Sequence, residues 1–203
     1  MDKPYVVGVT GGIACGKTAA TDYLAEHGGV VIDADAISRG LTAPGGAALG
    51  AVREAFGSEV FRENGELDRA KLGHIVFSDI QKRRALEAII HPMVQHAVIT
   101  GIREAGANGI PLVFLSVPLL FETGMDTLCD ETWCMSVGPD EQLSRVMKRD
   151  GLSRAEAQAR IDSQMPLAEK EQRASLVIHT DRPVELTHAE LQALLLQLRR
   201  KLS

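Results

Sequence analysis

Gly11-Gly12-Ile13-Ala14-Cys15-Gly16-Lys17-Thr18 is a complete GxxxxGK[ST] string, and its setting decides the fold. Upstream, Tyr5-Val6-Val7-Gly8-Val9 reads as a buried strand. Downstream, Lys17 to Glu26 reads as a helix that His27-Gly28-Gly29 stops, glycine being the residue that tolerates the left-handed conformation past a helix end. Strand, glycine loop, helix is the context in which such a string cradles phosphate. The glycines let backbone N–H groups curl around the anion, and the helix N-terminus adds positive partial charge. Lys17 supplies a cation for the β- and γ-phosphates, and the Thr18 hydroxyl can ligate Mg²⁺. Together, residues 11–18 form the expected triphosphate site. Chance would produce such a match in about 1% of chains this long.

Outward from this loop, short β-branched runs alternate with longer helical patterns, the signature of an α/β protein with a parallel sheet. Val30-Val31-Ile32 is a second strand, ending in Asp33-Ala34-Asp35. Leu112 to Val117 is a third, Thr132 to Val137 a fourth and Leu176-Val177-Ile178 a short fifth. The stretch between the second and third strands is far longer than one crossover needs. Its text is helical, with Thr42 to Gly46 as a loop, Asn64-Gly65 as a tight turn, and Asp68 and Ser78 as caps of successive helices. A second excursion, about Gly138 to Ala174, carries a run of basic side chains, and its Ser153-Arg154-Ala155-Glu156 has capping-box spacing. The segment Val184 to Leu202 sets Leu191, Leu194, Leu195 and Leu198 at helical spacing, with Arg199, Arg200 and Lys201 suited to the negative end of that helix.

Composition narrows the function. The 203 residues carry 22 Lys+Arg and 27 Asp+Glu, a formal charge of −5, with 45% hydrophobic and 24% charged residues. This is the balance of a soluble domain. Net acidity and only five Phe, two Tyr and one Trp argue against a nucleic-acid coat or stacking platform. No run of about 18 apolar residues exists to span a membrane, and no secretory leader opens the chain, so neither membrane nor nucleic acid is an expected partner. Three cysteines, Cys15, Cys129 and Cys134, without CxxC spacing fit a reducing, cytoplasmic setting.

A small GTPase would add NKxD and DxxG strings, and neither occurs. The third strand ends in Ser116-Val117-Pro118, with Glu122 a few residues later, where an ABC-type or helicase-type ATPase would end a hydrophobic strand in acidic residues. A small-molecule kinase is left, and it needs a base, an acceptor pocket and a basic lid. Asp33 stands at the end of a strand, where ligands bind in open α/β sheets. If the extended conformation continues, Asp35 shares its side; otherwise Asp35 caps the next helix. His91-Pro92 reads as a helix boundary, since proline disfavours helix in the residue before it. Pro118-Leu119-Leu120-Phe121-Glu122 offers an apolar wall with one carboxylate. Arg145 and Arg149, four apart, share a helix face, followed by Arg154 and Arg160 with Lys148 and Lys170 nearby; the segment is either a lid or a solvated face.

These residues resemble the dephospho-coenzyme A kinase family. The resemblance runs from Val6 to about Ile178 and rests on an ordered set. The set comprises Val9-Thr10-Gly11-Gly12-Ile13 with Gly16-Lys17-Thr18, Asp33-Ala34-Asp35 with Ile37 and Arg39, His91-Pro92, Pro118 to Glu122, Arg145 to Asp150, Gln164-Met165 and Lys170. It implies transfer of the ATP γ-phosphoryl group, with Mg²⁺, to the ribose 3′-hydroxyl of dephospho-CoA. It implies a P-loop kinase core with a five-stranded parallel sheet in the order 2-3-1-4-5, formed by residues 1–40, 107–137 and 174–203. Residues 41–106 would be a helical acceptor domain and 138–173 a lid. Asp33 would be the base. Asp35, Arg39, His91, Pro118, Leu119, Leu120 and Glu122 would face the acceptor, and Arg145 and Arg149 would act with Lys17 on the transferred group. Two departures stand out: Ala14-Cys15 where the family usually has Gly-Ser, and Ala174-Ser175 with Thr180-Asp181-Arg182 where it tends to read Ala-Asp and Asn-x-Gly. Cys15, beside Lys17 at a helix N-terminus, is either a reactive thiolate or an inert small side chain. Rival readings are a nucleoside or nucleotide kinase and a non-catalytic ATP-binding regulator.

Overall fold

Strand β1 (Tyr5–Gly11) is buried along nearly its whole length, as a parallel strand covered on both faces must be. It is the central strand in the computed structural model, which describes residues 3–202. β2 (Val30–Asp33), β3 (Leu112–Ser116), β4 (Glu131–Ser136) and β5 (Leu176–His179) join it in the order β2-β3-β1-β4-β5, every pair parallel. This is the expected fold class. Register brings three strand ends to one edge of the sheet, because Ser116 is paired with Val9 on one side and with Asp33 on the other.

Helices α1 (Lys17–Glu26) and α9 (Val184–Leu202) share one core with the sheet, comprising Val7, Val9, Leu24, Phe114, Trp133, Leu191, Leu195 and Leu198 among others. Leu194 packs against it while partly exposed. Each leucine so buried contributes roughly 1.5–3 kcal/mol relative to exposure. The leucine stripe therefore folds as the sequence spacing requires.

Residues Ala34–Thr100 form one compact unit, and the other described residues form a second. The first contains α2 (Ala34–Leu41), α3 (Leu49–Phe56), α4 (Arg69–Ser78) and most of α5 (Ile80–Ala107). An antiparallel bridge pairs Phe61 with Leu67 around the Asn64-Gly65 turn, with Gly65 at φ 84°. Asp68 caps α4 by accepting the Lys71 N–H at 3.0 Å.

Three local expectations are corrected here. The extended chain stops at Asp33, and α2 begins at Ala34, so Asp35 lies in the first turn of a helix and strand alternation does not apply to it. The cap before α5 is Asp79, not Ser78. Asp79 accepts the N–H groups of Gln81 at 2.7 Å and Lys82 at 3.2 Å, while the Ser78 hydroxyl donates back to the carbonyls of His74 and Ile75. His91-Pro92 is no boundary either. Pro92 lies inside the 28-residue α5, where a proline costs about 3 kcal/mol. The buried series Ile90, Val94, Val98 and Ile102, four residues apart, holds the helix together through it.

The second excursion folds as α6 (Pro139–Asp150), α7 (Arg154–Asp162) and α8 (Leu167–Arg173). Ser153 and Glu156 complete the capping box that opens α7. A small core of Leu143, Val146 and Ala157 packs with Ile13 and Ala14, so this excursion is built onto the phosphate loop itself. Among the described residues, no helix is long and apolar enough to cross a membrane.

Candidate active site

The loop between β1 and α1 has the backbone that its glycines permit. Gly16, which caps α1, takes φ 84°, a left-handed conformation that costs glycine nothing. A Cβ on Gly11 would come within 2.5 Å of the Met135 carbonyl oxygen, so β4 closes against the loop only because that position is bare. Loop carbonyls are engaged within the protein: Gly12 accepts the Cys15 N–H at 3.2 Å, Ile13 accepts from Gln142 Nε2 at 3.0 Å, and Cys15 accepts from Thr180 Oγ1 at 3.1 Å. The Cys15 side chain is buried, and burial pushes its thiol up to about 11. Of the two readings of Cys15, burial favours the inert side chain: desolvation outweighs the Gly12 N–H bond and the Arg145 and Lys170 charges.

At the shared strand edge, Lys17 Nζ donates to Ser116 Oγ at 2.7 Å, and Ser116 Oγ donates to Asp33 Oδ2 at 3.4 Å. The first contact is short and the second long. Because an ammonium has no lone pair to offer, the direction is fixed: Lys17 must donate, which leaves the serine proton for Asp33. Sequence motifs point to Lys17 and Asp33 but mark Ser116 only as the residue ending β3. A hydroxyl closing an otherwise apolar strand was the available signal.

The Pro118–Glu122 loop follows β3. Leu120 is fully buried, and a Cβ on Gly8 would meet it at 2.9 Å, so this member of the expected acceptor wall belongs to the core. The Pro118 carbonyl accepts from Thr10 Oγ1 at 3.1 Å and from Lys170 Nζ at 2.6 Å. Lys170 Nζ also pairs with Glu122 Oε1 at 2.8 Å. The carboxylate expected to face an acceptor is thus taken by a lysine.

The two α6 arginines part company. Arg145 donates to Thr180 Oγ1 at 3.0 Å, to the Thr180 carbonyl at 2.8 Å and to Glu141 at 2.8 Å. Through Thr180 it reaches the Cys15 carbonyl, which ties α6 to the phosphate loop. It also lines a cavity of about 230 Å³ with Gly16, Ala19, Thr180, Arg182 and His188. Arg149 instead grips Asp150 with two bonds, at 2.8 and 3.0 Å, and Arg160 reaches the same carboxylate at 2.6 Å. Those guanidinium contacts, that of Arg149 first, hold the Asp150 carboxyl down at about 2, and the same bond raises Arg149. Asp35, Arg39 and His91 belong to the helical unit: Asp35 and Arg39 are exposed on α2, and His91 is half-buried on α5.

A family model described as dephospho-CoA kinase matches residues 5–185. A dephospho-CoA kinase of Carboxydothermus hydrogenoformans is 43% identical over 190 residues, which cover 94% of this chain and 92% of that protein. Among solved structures, TT1252 from Thermus thermophilus superimposes with a TM-score of 0.81 at 35% identity, covering 97% of this chain and 99% of its own. The dephospho-CoA kinase of Campylobacter jejuni gives a TM-score of 0.74 at 25% identity, covering 97% and 98%.

Proposed function

The chain belongs to the dephospho-CoA kinase family, and from that premise we propose that it transfers the γ-phosphoryl group of ATP to the ribose 3′-hydroxyl of dephospho-CoA. The products are coenzyme A and ADP, the last step of coenzyme A biosynthesis. The observation that carries the residue assignment is the Lys17–Ser116–Asp33 chain of hydrogen bonds at the end of three parallel strands. It sets a phosphate-binding cation and a carboxylate a single side chain apart.

In this reading Asp33 accepts the 3′-hydroxyl proton as the oxygen bonds to the γ-phosphorus, and the bond to the β-phosphate oxygen breaks with its electron pair leaving on ADP. Backbone N–H groups of the glycine loop and the Lys17 ammonium hold the phosphates in line. Positioning and charge neutralisation then supply most of the acceleration. Arg145, fixed at Thr180, keeps N–H donors for a phosphate oxygen, and the cavity beside it takes the nucleotide's base. For Arg149 to serve the same end, its fork to Asp150 must open.

Thr18, exposed in the first turn of α1, would hold Mg²⁺. Among the described residues there is no cluster of three His, Cys, Asp or Glu side chains for a metal. That donor set fits an ion which takes most of its oxygens from phosphate and water. When bound, it would neutralise charge on the β- and γ-phosphates. The helical unit Ala34–Thr100, with Asp35, Arg39 and His91, would bind the acceptor, and the α6–α8 excursion would act as the lid. Three free cysteines favour a cytoplasmic setting.

The test is ATP- and Mg²⁺-dependent ADP release with dephospho-CoA, AMP or adenosine as acceptor, for the native protein and Asp33→Asn. Turnover is expected with dephospho-CoA alone, and a loss of about 10²-fold on removing the base. Phosphorylation of AMP would overturn the acceptor, and full activity in Asp33→Asn would overturn the base.

A further inference from the structure

Lys170 is the only buried charged residue among those described, with no exposed surface. An ammonium in that position pays a desolvation cost that an apolar side chain of equal length avoids, and methionine would fill such a space with little strain. Packing alone therefore gives no reason for a lysine. Its contacts do. From α8, Nζ bonds both the Pro118 carbonyl and the Glu122 carboxylate, the two ends of one short loop. Glu122 Oε1 also accepts the Met165 N–H at 3.2 Å, just before α8. One turn further along the helix, Arg173 lies over the Phe121 ring, 4.6 Å from its centroid, and reaches Asp126 at 3.4 Å. Glu171, between them, takes the Ser136 hydroxyl at the end of β4. Helix α8 is thus moored to the sheet and grips the loop after β3 at successive points.

We propose that Lys170 is a positioning residue for the acceptor. It clips both ends of the Pro118–Glu122 loop, fixing the wall against which dephospho-CoA binds and joining that wall to the excursion that carries Arg145. The Pro118 carbonyl is the joint: Thr10, one residue before the phosphate loop, donates to it from the other side of the pairing. Two hydrogen bonds on one carbonyl leave it little freedom to turn. This inference rests on the proposed function and on the sequence expectation that the Pro118–Glu122 loop, through the members not taken up by the core or by Lys170, faces the acceptor.

Steady-state kinetics on three variants of the full chain test it, with thermal unfolding measured alongside. Lys170→Met strands the Glu122 carboxylate and risks misfolding. The double variant Lys170→Met/Glu122→Gln removes both charges and keeps an acceptor for Met165. Glu122→Gln alone leaves Lys170 on Pro118. The double variant is expected to fold, with KM for dephospho-CoA raised about 10-fold or more, KM for ATP within about 2-fold of native, and a smaller acceptor effect in Glu122→Gln. Native acceptor KM in the folded double variant would make the pair a structural strut and overturn the proposal. So would an equal rise in both KM values or failure of the double variant to fold. A native protein inert toward dephospho-CoA would sink the function itself, which is a separate result from an active native protein with unmoved variants.

Discussion

Ala14 stands at φ 60°, the one non-glycine residue with positive φ among those described. A Cβ there crowds the following carbonyl, a cost of roughly 1–2 kcal/mol, and the loop bears it because Ile13 and Ala14 pack against the α6–α7 core. On sequence alone, exchanging the family's Gly-Ser for Ala-Cys looks harmless, since these positions act through backbone N–H groups. The structure puts a definite strain on the first of them. Ala14→Gly is therefore expected to stabilise the protein by about 1 kcal/mol, the relief of strain exceeding the entropy that glycine adds to the unfolded chain. The midpoint of urea unfolding measures it, and a lower midpoint would refute the strain. Neighbouring Cys15 teaches the opposite lesson. Its sequence neighbourhood suggests a reactive thiol, but sequence does not reveal burial, and burial sets its protonation.

Elements whose limits are set by local chemistry were legible in advance. The glycine loop and Gly28-Gly29 bound α1, and the leucine stripe bounds α9; the structure has both helices as read. Misreadings fell where tertiary packing overrode a local rule. Pro92 should end a helix and does not, because the buried face of α5 continues past it. Ser78 and Asp79 are adjacent good caps, and nothing in the string chooses between them. The choice shows in the bonds, since Asp79 takes two N–H groups of the next helix while Ser78 turns back on its own. Asp79→Ala should cost about 1 kcal/mol of stability, with Ser78→Ala costing a few tenths at most; thermal unfolding of the two variants separates them. Equal losses would mean that the cap is shared. The same limit explains the site. Lys17 and Asp33 could be named from their motifs, but Ser116 joins them through strand register, and Lys170 meets Glu122 across a separation that no pattern encodes.

At the scale of the whole molecule, most ion pairs join partly exposed side chains, such as Lys3 with Asp130 and Arg83 with Glu87. Pairs of that kind contribute little singly. Asp150 differs in being held by two guanidinium groups at once, Arg149 from its own helix and Arg160 from α7, which fastens the ends of two helices together. Its carboxyl titrates at about 2, against an ordinary value of 3.8. A depressed carboxyl contributes stability that is fully present above the unfolded value and is lost as pH falls through the folded one. Native protein and Asp150→Asn should accordingly differ in melting temperature by a constant margin above about pH 5, and the margin should close between about pH 4 and pH 2. Added salt should shrink it as well, because the network is reached by solvent. Melting curves across that range decide the matter. A margin that persists unchanged at pH 2 would mean that Asp150 acts through hydrogen bonds its protonated form also makes, and that the charge of the network does not hold α6 to α7.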